Sequence, residues 1–311
     1  MLKPPLVVTV ILNTDRREDT LAALDSLYKN SYANHRAIVL DNASKDGSAA
    51  AIRSEFPQTQ VIELEQNLGY AGNNNAGIQR ALDMGADWVF VLNEDTLLAP
   101  DCLAEMVRVG ESDIHVGILG PMVYHYDEPG VIQSAGGKIG KNWQTSHLAQ
   151  NEADQGQFPE PHSVDWISGC AILVRRGVIE QVGMLDARFF YYYEETEWCL
   201  RARKAGWRVV HVPRARIWHK GVQRDYFPGP NVTYYKTRNR FLMLSKHKAP
   251  PQAWLLTWTQ VLRTLSSWSL KPKWRSMHAH RDAMWQGALD YIRCRWGKRS
   301  VKEGNIHWAD S

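Results

Sequence analysis

The chain predicts an α/β fold built on a mostly parallel, doubly wound sheet, and three observations predict it. Short β-branched runs recur through the N-terminal part, and each stops abruptly at a polar cluster. Single amphipathic segments separate these runs at the spacing of β-α-β units, the arrangement that parallel strands require. With 311 residues, 44% of them hydrophobic and 23% charged, the chain is long and apolar enough for a sizeable globular core.

Leu6 to Leu12 is the first such run, and it ends in Asn13-Thr14-Asp15. Arg17 to Lys29, with Leu21, Leu24 and Leu27 on one side, reads as an amphipathic helix. Ala37 to Leu40 is a second strand ending in Asp41-Asn42-Ala43-Ser44; Ser48 to Phe56 reads as a helix and Gln60 to Leu64 as a third strand. The Gly- and Asn-rich stretch from Asn67 to Gly77 opens a helix reaching Met84. Trp88 to Leu92 is then the fourth strand, and its C-terminal end presents Asn93-Glu94-Asp95.

Open α/β sheets place ligands at that edge. Carboxylate and amide oxygens side by side there suit a hard divalent cation, Mg²⁺ or Mn²⁺, shared with phosphate oxygens of a substrate. The same residue types are also ordinary turn formers. The first strand is not followed by GxGxxG, and no Gly-Lys-Ser/Thr follows Gly69, so dinucleotide and P-loop readings fail on spacing. What remains is a nucleotide site assembled from several strand ends: Asn13 and Thr14, Asp41, Asn67 to Asn75 with Gly69 and Asn74, and Asn93 to Asp95. Asp41 can accept the imide N–H of uracil or thymine, or serve as a cap or turn residue. Small residues near Gly69 let the chain approach a ribose.

Beyond Pro100 the pattern gives a helix to Val109, a strand from Val116 to Leu119, and a loop-rich stretch from Tyr124 to Ser163 of the kind that covers an active site. In Val164 to Val174, which contains Trp166, the small residues Ser168 and Gly169 fit close approach of backbone to a ligand or helix. A second polar cluster follows the aromatic run Phe189 to Tyr193. Glu194, Glu195 and Glu197 open a helix whose last turn holds Arg203 and Lys204 and which Gly206 ends, so its charges complement the helix dipole. Three carboxylates exceed what a cap requires, and one positioned here can act as a general base.

The formal charge of +4 is too small to imply a nucleic-acid partner, but it is unevenly spread. From Lys246 to Arg299 there are eleven Lys/Arg against only Asp282 and Asp290, so the rest of the chain is net acidic. Seven of the thirteen Trp lie after residue 250, among basic residues. Two readings of this tail are compatible: an amphipathic attachment to an anionic membrane interface, or aromatic packing onto the body or another subunit. The residues beyond Ser300 look frayed. No apolar run is long enough to span a bilayer, and the first residues lack a small-residue cleavage site. Cys102, Cys170, Cys199 and Cys294 show no CxxC spacing and are expected as buried free thiols in a reducing cytoplasm.

Taken in order, Asp41, Asn67-Leu68-Gly69-Tyr70, Leu92 to Thr96, Val164 to Gly169, Glu194-Glu195, Trp218-His219-Lys220-Gly221 and Tyr234 to Arg240 resemble the family 2 inverting glycosyltransferases, and within them the bacterial rhamnosyltransferase-like branch. The resemblance covers residues 5 to 245. It implies a GT-A type nucleotide-sugar-binding fold over 1–245, with a nucleotide-binding half up to residue 120 and an acceptor half from 121; outside the resemblance, the basic Trp-rich residues 246–311 read as a helical extension. It implies Asp41 at the base, Asn93 and Asp95 in the DxD-type position with Asp95 as the main metal ligand, His219 at the metal or diphosphate, and Trp166, Ser168, Gly169 and Arg238 among the substrate contacts. Glu195 falls where the family usually has the Asp of a Glu-Asp pair, the proposed base, with Glu194 as the alternative; Asn73 stands where relatives commonly have Gly. The activity implied is transfer of a sugar, rhamnose from a dTDP-sugar in the branch resembled, from a nucleoside-diphosphate donor to a saccharide acceptor on a polyprenyl lipid, in the assembly of cell-surface polysaccharide such as O-antigen. The implied location is the cytoplasm or the inner face of its membrane. A nucleotidyltransferase and a non-catalytic sugar- or nucleotide-binding subunit are the rival readings.

Overall fold

The computed structural model describes residues 3–221 and 227–300, so the fraying expected beyond Ser300 and the residues Met1 and Leu2 lie outside it. In chain order the first half forms β1 (Val7–Asn13), α1 (Arg17–Tyr28), β2 (His35–Asp41), α2 (Ser48–Glu55), β3 (Gln60–Glu63), α3 (Gly69–Asp83), β4 (Trp88–Asn93), β5 (Thr96–Leu98), α4 (Cys102–Glu111) and β6 (Val116–His125). There follow β7 (Ile132–Ser134), β8 (Gly137–Ile139), β9 (Thr145–His147), β10 (His162–Ser163), β11 (Ala171–Arg175), α5 (Arg176–Val182), α6 (Glu194–Lys204) and β12 (Arg208–His219). Three helices close the chain: α7 (Pro230–Lys246), α8 (Pro251–Leu270) and, after a 3-10 turn, α9 (His278–Ile292).

Strands alternate their side chains between two faces, and the core divides accordingly. Val7, Ile11, Phe90 and Leu92 meet Leu24 and Leu27 of α1, Ile52 of α2 and Leu103 and Met106 of α4 on one face. Val8, Val10, Val89 and Val91 meet Ala71 and Ile78 of α3, Val178 of α5 and Trp198 of α6 on the other. The sheet is therefore wound on both sides. Its order is β10-β12-β6-β11-β4-β1-β2-β3, parallel throughout β4-β1-β2-β3 and again between β6 and β12, while β11 runs antiparallel to both β4 and β6.

Several expectations shift. The strand expected to stop at Leu119 continues to His125 with every residue buried, because β12 pairs along it on one side and β11 and β7 on the other. Within Val164 to Val174 only the end is strand; Val164, Trp166 and Ile167 are apolar because they fill the core from a loop. All four cysteines are free, as expected, but Cys294 is exposed rather than buried. In the tail, Phe241 of α7 packs at 4.4 Å from the ring of Trp258 and 5.3 Å from that of Tyr291, so part of its aromatic content joins α8 and α9 to α7.

Candidate active site

Parallel pairing in register sets Asn13 beside Asp41 and Leu12 beside Asn93, which gathers three polar strand ends at one edge of the sheet. β12 returns antiparallel to β5 with His219 opposite Thr96, next to Asp95. His219 Nε2 thereby stands 3.2 Å from Asp95 Oδ1. The approach is close enough for a charge contact but not aligned as a hydrogen bond, and among the described residues the buried Oδ1 has no other partner. The second ring nitrogen, Nδ1, is 2.7 Å from Gln133 Oε1, an acceptor, and so carries the ring proton. In the neutral ring this leaves the Nε2 lone pair directed at the Asp95 side. Burial raises the Asp95 carboxyl, but His219, whenever its ring carries a second proton, and the Arg16 guanidinium more than offset this, and it is held below the usual carboxylate range.

An orphaned carboxylate oxygen facing an imidazole lone pair fits a divalent cation. Gly221 shapes the same cradle, since a Cβ there would fall 2.5 Å from Asp95 Oδ2 and 3.1 Å from His219 Nε2. No group of three His, Cys, Asp or Glu able to hold a metal occurs among the described residues. Two protein ligands suit Mg²⁺ or Mn²⁺ only if phosphate oxygens and water complete the shell. Glu94, next in sequence, is pushed up to about 8 by burial and by Asp95. Lys220 pairs with Asp19 at 2.7 Å on the same side, where Arg16 also reaches Asp19 at 3.3 Å.

The second centre begins at the aromatic strap before α6. Phe190, Tyr192 and Tyr193 have φ of 64°, 70° and 75°, which side chains other than glycine adopt only where the surroundings impose it. Here α7 imposes it. Asn239 Nδ2 donates to the carbonyls of Phe189, Tyr191 and Tyr192 at 2.8, 2.7 and 2.9 Å. Arg238 Nη2 donates to those of Arg188 and Phe189 at 3.1 and 2.8 Å. The strap delivers Glu194 inward, 4% exposed with Oε2 unpartnered among the described residues, and Glu195 to a half-buried position where Oε1 accepts the Thr196 hydroxyl at 3.1 Å.

Burial raises both carboxyls, and Glu195 raises Glu194 further, well above the ordinary range. At Glu195 the rise is opposed by hydrogen bonds and by the charge of Lys236. Two close carboxyls share protons unevenly, so the more buried Glu194 keeps its proton and Glu195 ionises. Between the two centres runs Ser168-Gly169-Cys170. Asn93 N–H donates to the Cys170 carbonyl at 2.9 Å, and the Tyr70 hydroxyl donates to the Gly169 carbonyl at 2.5 Å. The Cys170 thiol, pushed up to about 12 by burial, feels both Asp95 and Glu195.

Not every residue expected at the site faces it. Asn13 is wholly buried, donating to Asp41 Oδ1 at 2.8 Å and Ser44 Oγ at 2.9 Å and accepting from Thr20 at 2.8 Å, so it braces the edge instead of contacting a substrate. Trp166 is a core residue packed over Gly137 and against the His147 ring at 4.7 Å. Arg238, 0% exposed, is fully engaged by the strap, Tyr234, Asn239 and the Gly297 carbonyl. Asn74 is 1% exposed and holds the Tyr70 carbonyl at 2.9 Å, which also removes it from the nucleotide. Gly69, at φ +75°, gives its missing Cβ to the backbone of Phe190, not to a ribose.

Others stay at the edge. Thr14 is exposed and accepts from Asn42 at 3.2 Å, and Asn67 is exposed with Oδ1 accepting the Gly69 N–H at 2.8 Å. Asp41 accepts from Asn13 and from the Ser44 N–H at 3.1 Å, one bond to each oxygen, so each keeps a lone pair for a base. Ser168 sits 3.3 Å from the Cys170 sulfur, and a Cβ on Gly169 would lie 3.5 Å from the Tyr70 hydroxyl and from Glu195 Cγ, an ordinary contact. Asn93 Nδ2 is 3.4 Å from His219 Nε2. Tyr70 and Gly221 lay inside quoted motifs without a role, and Gln133, supplied by β7, carried no signal within the stretch expected to be loop-rich.

Residues 7–183 match the family model described as glycosyl transferase family 2. The chain is 27% identical over 251 residues to an N-acetylglucosaminyl-diphospho-decaprenol L-rhamnosyltransferase of Mycobacterium tuberculosis, covering 73% of this chain and 81% of that protein. It is 28% identical over 229 residues to the dTDP-rhamnosyl transferase RfbF of Shigella flexneri, covering 70% and 73%. Among solved structures, the mannosyltransferase PcManGT from Pyrobaculum calidifontis in complex with GDP-Man and Mn²⁺ superposes with a TM-score of 0.59 at 16% identity, covering 94% of this chain and 88% of that one. Staphylococcus aureus TarS 1-349 gives 0.57 at 14%, covering 94% and 83%. These structural likenesses are of fold, and the fold is GT-A.

Proposed function

The chain belongs to glycosyl transferase family 2, and from that membership we propose that it is an inverting transferase carrying a sugar, rhamnose from a dTDP-sugar, to a lipid-linked saccharide acceptor in cell-surface polysaccharide synthesis. The observation that carries the reading is the pair of carboxylate centres with opposed electrostatics on either side of Ser168-Gly169-Cys170. Asp95 is held ionised, whereas the Glu194-Glu195 carboxyls are raised toward the range of a general base. Environments that push such groups apart assign their roles. The names of the rhamnosyltransferase relatives support the donor and the lipid-linked acceptor.

Inverting transfer is one in-line displacement at the anomeric carbon. Glu195 takes the proton from the acceptor hydroxyl as that oxygen attacks, and the nucleoside diphosphate departs from the opposite face. Asp95 and His219 would hold Mg²⁺ or Mn²⁺, which supplies charge stabilisation to the leaving diphosphate. Arg16 and Lys220 place further positive charge on that side. Asp41 and Asn67 stand at the edge where the base and ribose would lie. Tyr70 and α7 fix the geometry through the Gly169 carbonyl and the strap, which matters because about 1 Å of misplacement can cost about 10²-fold in rate.

The test is incubation of purified protein with dTDP-rhamnose and an N-acetylglucosaminyl diphospholipid, with and without Mn²⁺ or Mg²⁺. A disaccharide lipid with inverted anomeric configuration by NMR is expected, with turnover lost in excess EDTA. A product keeping the donor's configuration rejects single displacement, and full activity in EDTA rejects the metal role of Asp95. The basic tail is read as a peripheral attachment to an anionic membrane surface; among the described residues no helix is long and apolar enough to cross a membrane.

A further inference from the structure

Among the described residues Lys236 and Arg240 of α7 have no acidic partner bonded to them, and unlike Arg238 between them they are not spent on the strap. Lys236 and Arg240 lie one turn apart on the same helix face, about 6 Å along the axis at 1.5 Å per residue. Arg240 Nη1 donates to Gln260 Oε1 of α8 at 2.9 Å, yet Nε and Nη2 are buried without a hydrogen-bond partner among the described residues. Idle N–H groups on a buried guanidinium are costly; they are closed to solvent in this arrangement, and an anion that draws the side chain outward and accepts from them removes that cost. Lys236 is exposed, stands 5.0 Å over the Tyr192 ring and makes no ion pair among the described residues; Glu195 is the acidic group whose charge reaches it.

The surface beyond Arg240 is the solvent side of α8, where exposed leucines alternate with Gln252, Thr259, Arg263 and Ser266. Gln260 lies one turn from Leu256 on α8, and the solvent side of that helix presents Leu255, Leu256, Leu262 and Leu270 at 65%, 40%, 52% and 80% exposure. α8 carries no acidic side chain, and Lys271 and Lys273 follow it. From Glu195 outward the protein therefore offers a base, an ammonium, a guanidinium and then a leucine face. A molecule matching that order has a hydroxyl, a diphosphate and a hydrocarbon chain in the same sequence.

We propose that Lys236 and Arg240 form a second anion subsite, separate from the Asp95 centre, that binds the diphosphate of a lipid-diphosphate-linked saccharide acceptor while the first isoprenoid units lie on the α8 leucines. The proposal rests on the lipid-linked acceptor reading above and assigns residues to it. Because each lost charge-assisted hydrogen bond weakens an anion by about tenfold, single substitutions are measurable.

Binding of decyl diphosphate is measured by calorimetry in EDTA and without donor, so that the Asp95 centre contributes nothing. Lys236→Gln and Arg240→Gln are each expected to weaken it about tenfold. Arg240→Lys, which keeps the charge but loses the fork, is the control against a folding defect and should fall between. Inorganic diphosphate should bind at least about tenfold more weakly than the decyl compound, since it has nothing to lay on the leucines. Equal binding of the two, or decyl diphosphate binding indifferent to both substitutions, overturns the subsite. In parallel, the wild type should show a lower KM for the sugar on an alkyl diphosphate than on an uncharged alkyl glycoside, a preference that Lys236→Gln collapses. Transfer to both acceptors with no such preference removes the subsite but leaves the transferase reading; binding that depends on both residues, with no transfer to either acceptor, supports the subsite and removes the acceptor reading.

Discussion

Because burial raises both members of the Glu194-Glu195 pair, the pH dependence of turnover reports which one is the base. The active base is deprotonated, so kcat should rise with pH along an acidic limb whose midpoint lies above the ordinary Glu range and fall as pH drops through it. Glu195→Gln should abolish that limb and lower kcat by roughly 10²-fold or more, with donor affinity retained. Glu194→Gln resembles the protonated form already present and should keep most of the activity. The reverse pattern moves the base by one residue. At the other centre, Gly221→Ala sets a methyl against Asp95 and His219. Mn²⁺-dependent binding of dTDP should weaken by about tenfold or more in calorimetry while metal-free binding holds, as it should in Asp95→Ala. Undiminished Mn²⁺ dependence in both variants would remove the cation from this site.

At the scale of elements, α6 is anchored by a carboxylate that has no part in the chemistry. Glu197 is 0% exposed and holds Arg201 at 2.8 Å, Lys246 at 3.0 Å and His247 at 3.0 Å, which joins α6 to the end of α7. Burial raises its carboxyl, but these partners pull it further down, below its ordinary value. Its stabilisation is therefore present above the unfolded-state pKa and lost as pH falls through the folded one. Glu197→Ala strands the cations, and urea unfolding should show a loss of about 3 to 5 kcal/mol at neutral pH, shrinking under acid. A loss below about 1 kcal/mol would mean that solvent already screens the group. This anchor also shows what the sequence could display. The strand-end motifs were legible because period and polar stops report position at a sheet edge, and Glu194 to Lys204 was legible from charge order along a helix. Whether a polar residue at the edge meets a ligand or braces backbone was not legible. Asn13 and Arg238 are spent on neighbours 28 and 50 residues away in sequence, partners that only tertiary packing identifies, while Asn74 turns back onto the Tyr70 carbonyl of its own helix. The antiparallel β11 escaped for a related reason: an apolar run buried from a loop reads like one buried from a strand.

For the whole molecule, the basic tail has one side committed and one side open. Gly287 of α9 lies so close to α7 that a Cβ would meet the Tyr234 carbonyl at 2.6 Å, and Asp290 accepts the Tyr234 hydroxyl at 3.0 Å. The Gly297 carbonyl accepts from Arg238 at 2.7 Å, and Arg238 in turn holds the strap before Glu194. Truncation after Lys246 should therefore impair turnover and lower the melting temperature, and does not isolate membrane attachment. The open side does. Leu255, Leu262 and Leu270 contribute little to the core, being 65%, 52% and 80% exposed, so Leu255→Ser, Leu262→Ser and Leu270→Ser together should leave thermal unfolding within a few degrees of the parent. If that face enters a bilayer interface, the triple variant should lose sedimentation with vesicles containing phosphatidylglycerol. Recovery of the parent should fall as salt rises, since each basic group near an anionic surface contributes about 1 kcal/mol and a Debye length of about 8 Å at physiological ionic strength screens it. Equal recovery of parent and variant, or of the parent on neutral and anionic vesicles, would leave the tail as packing alone.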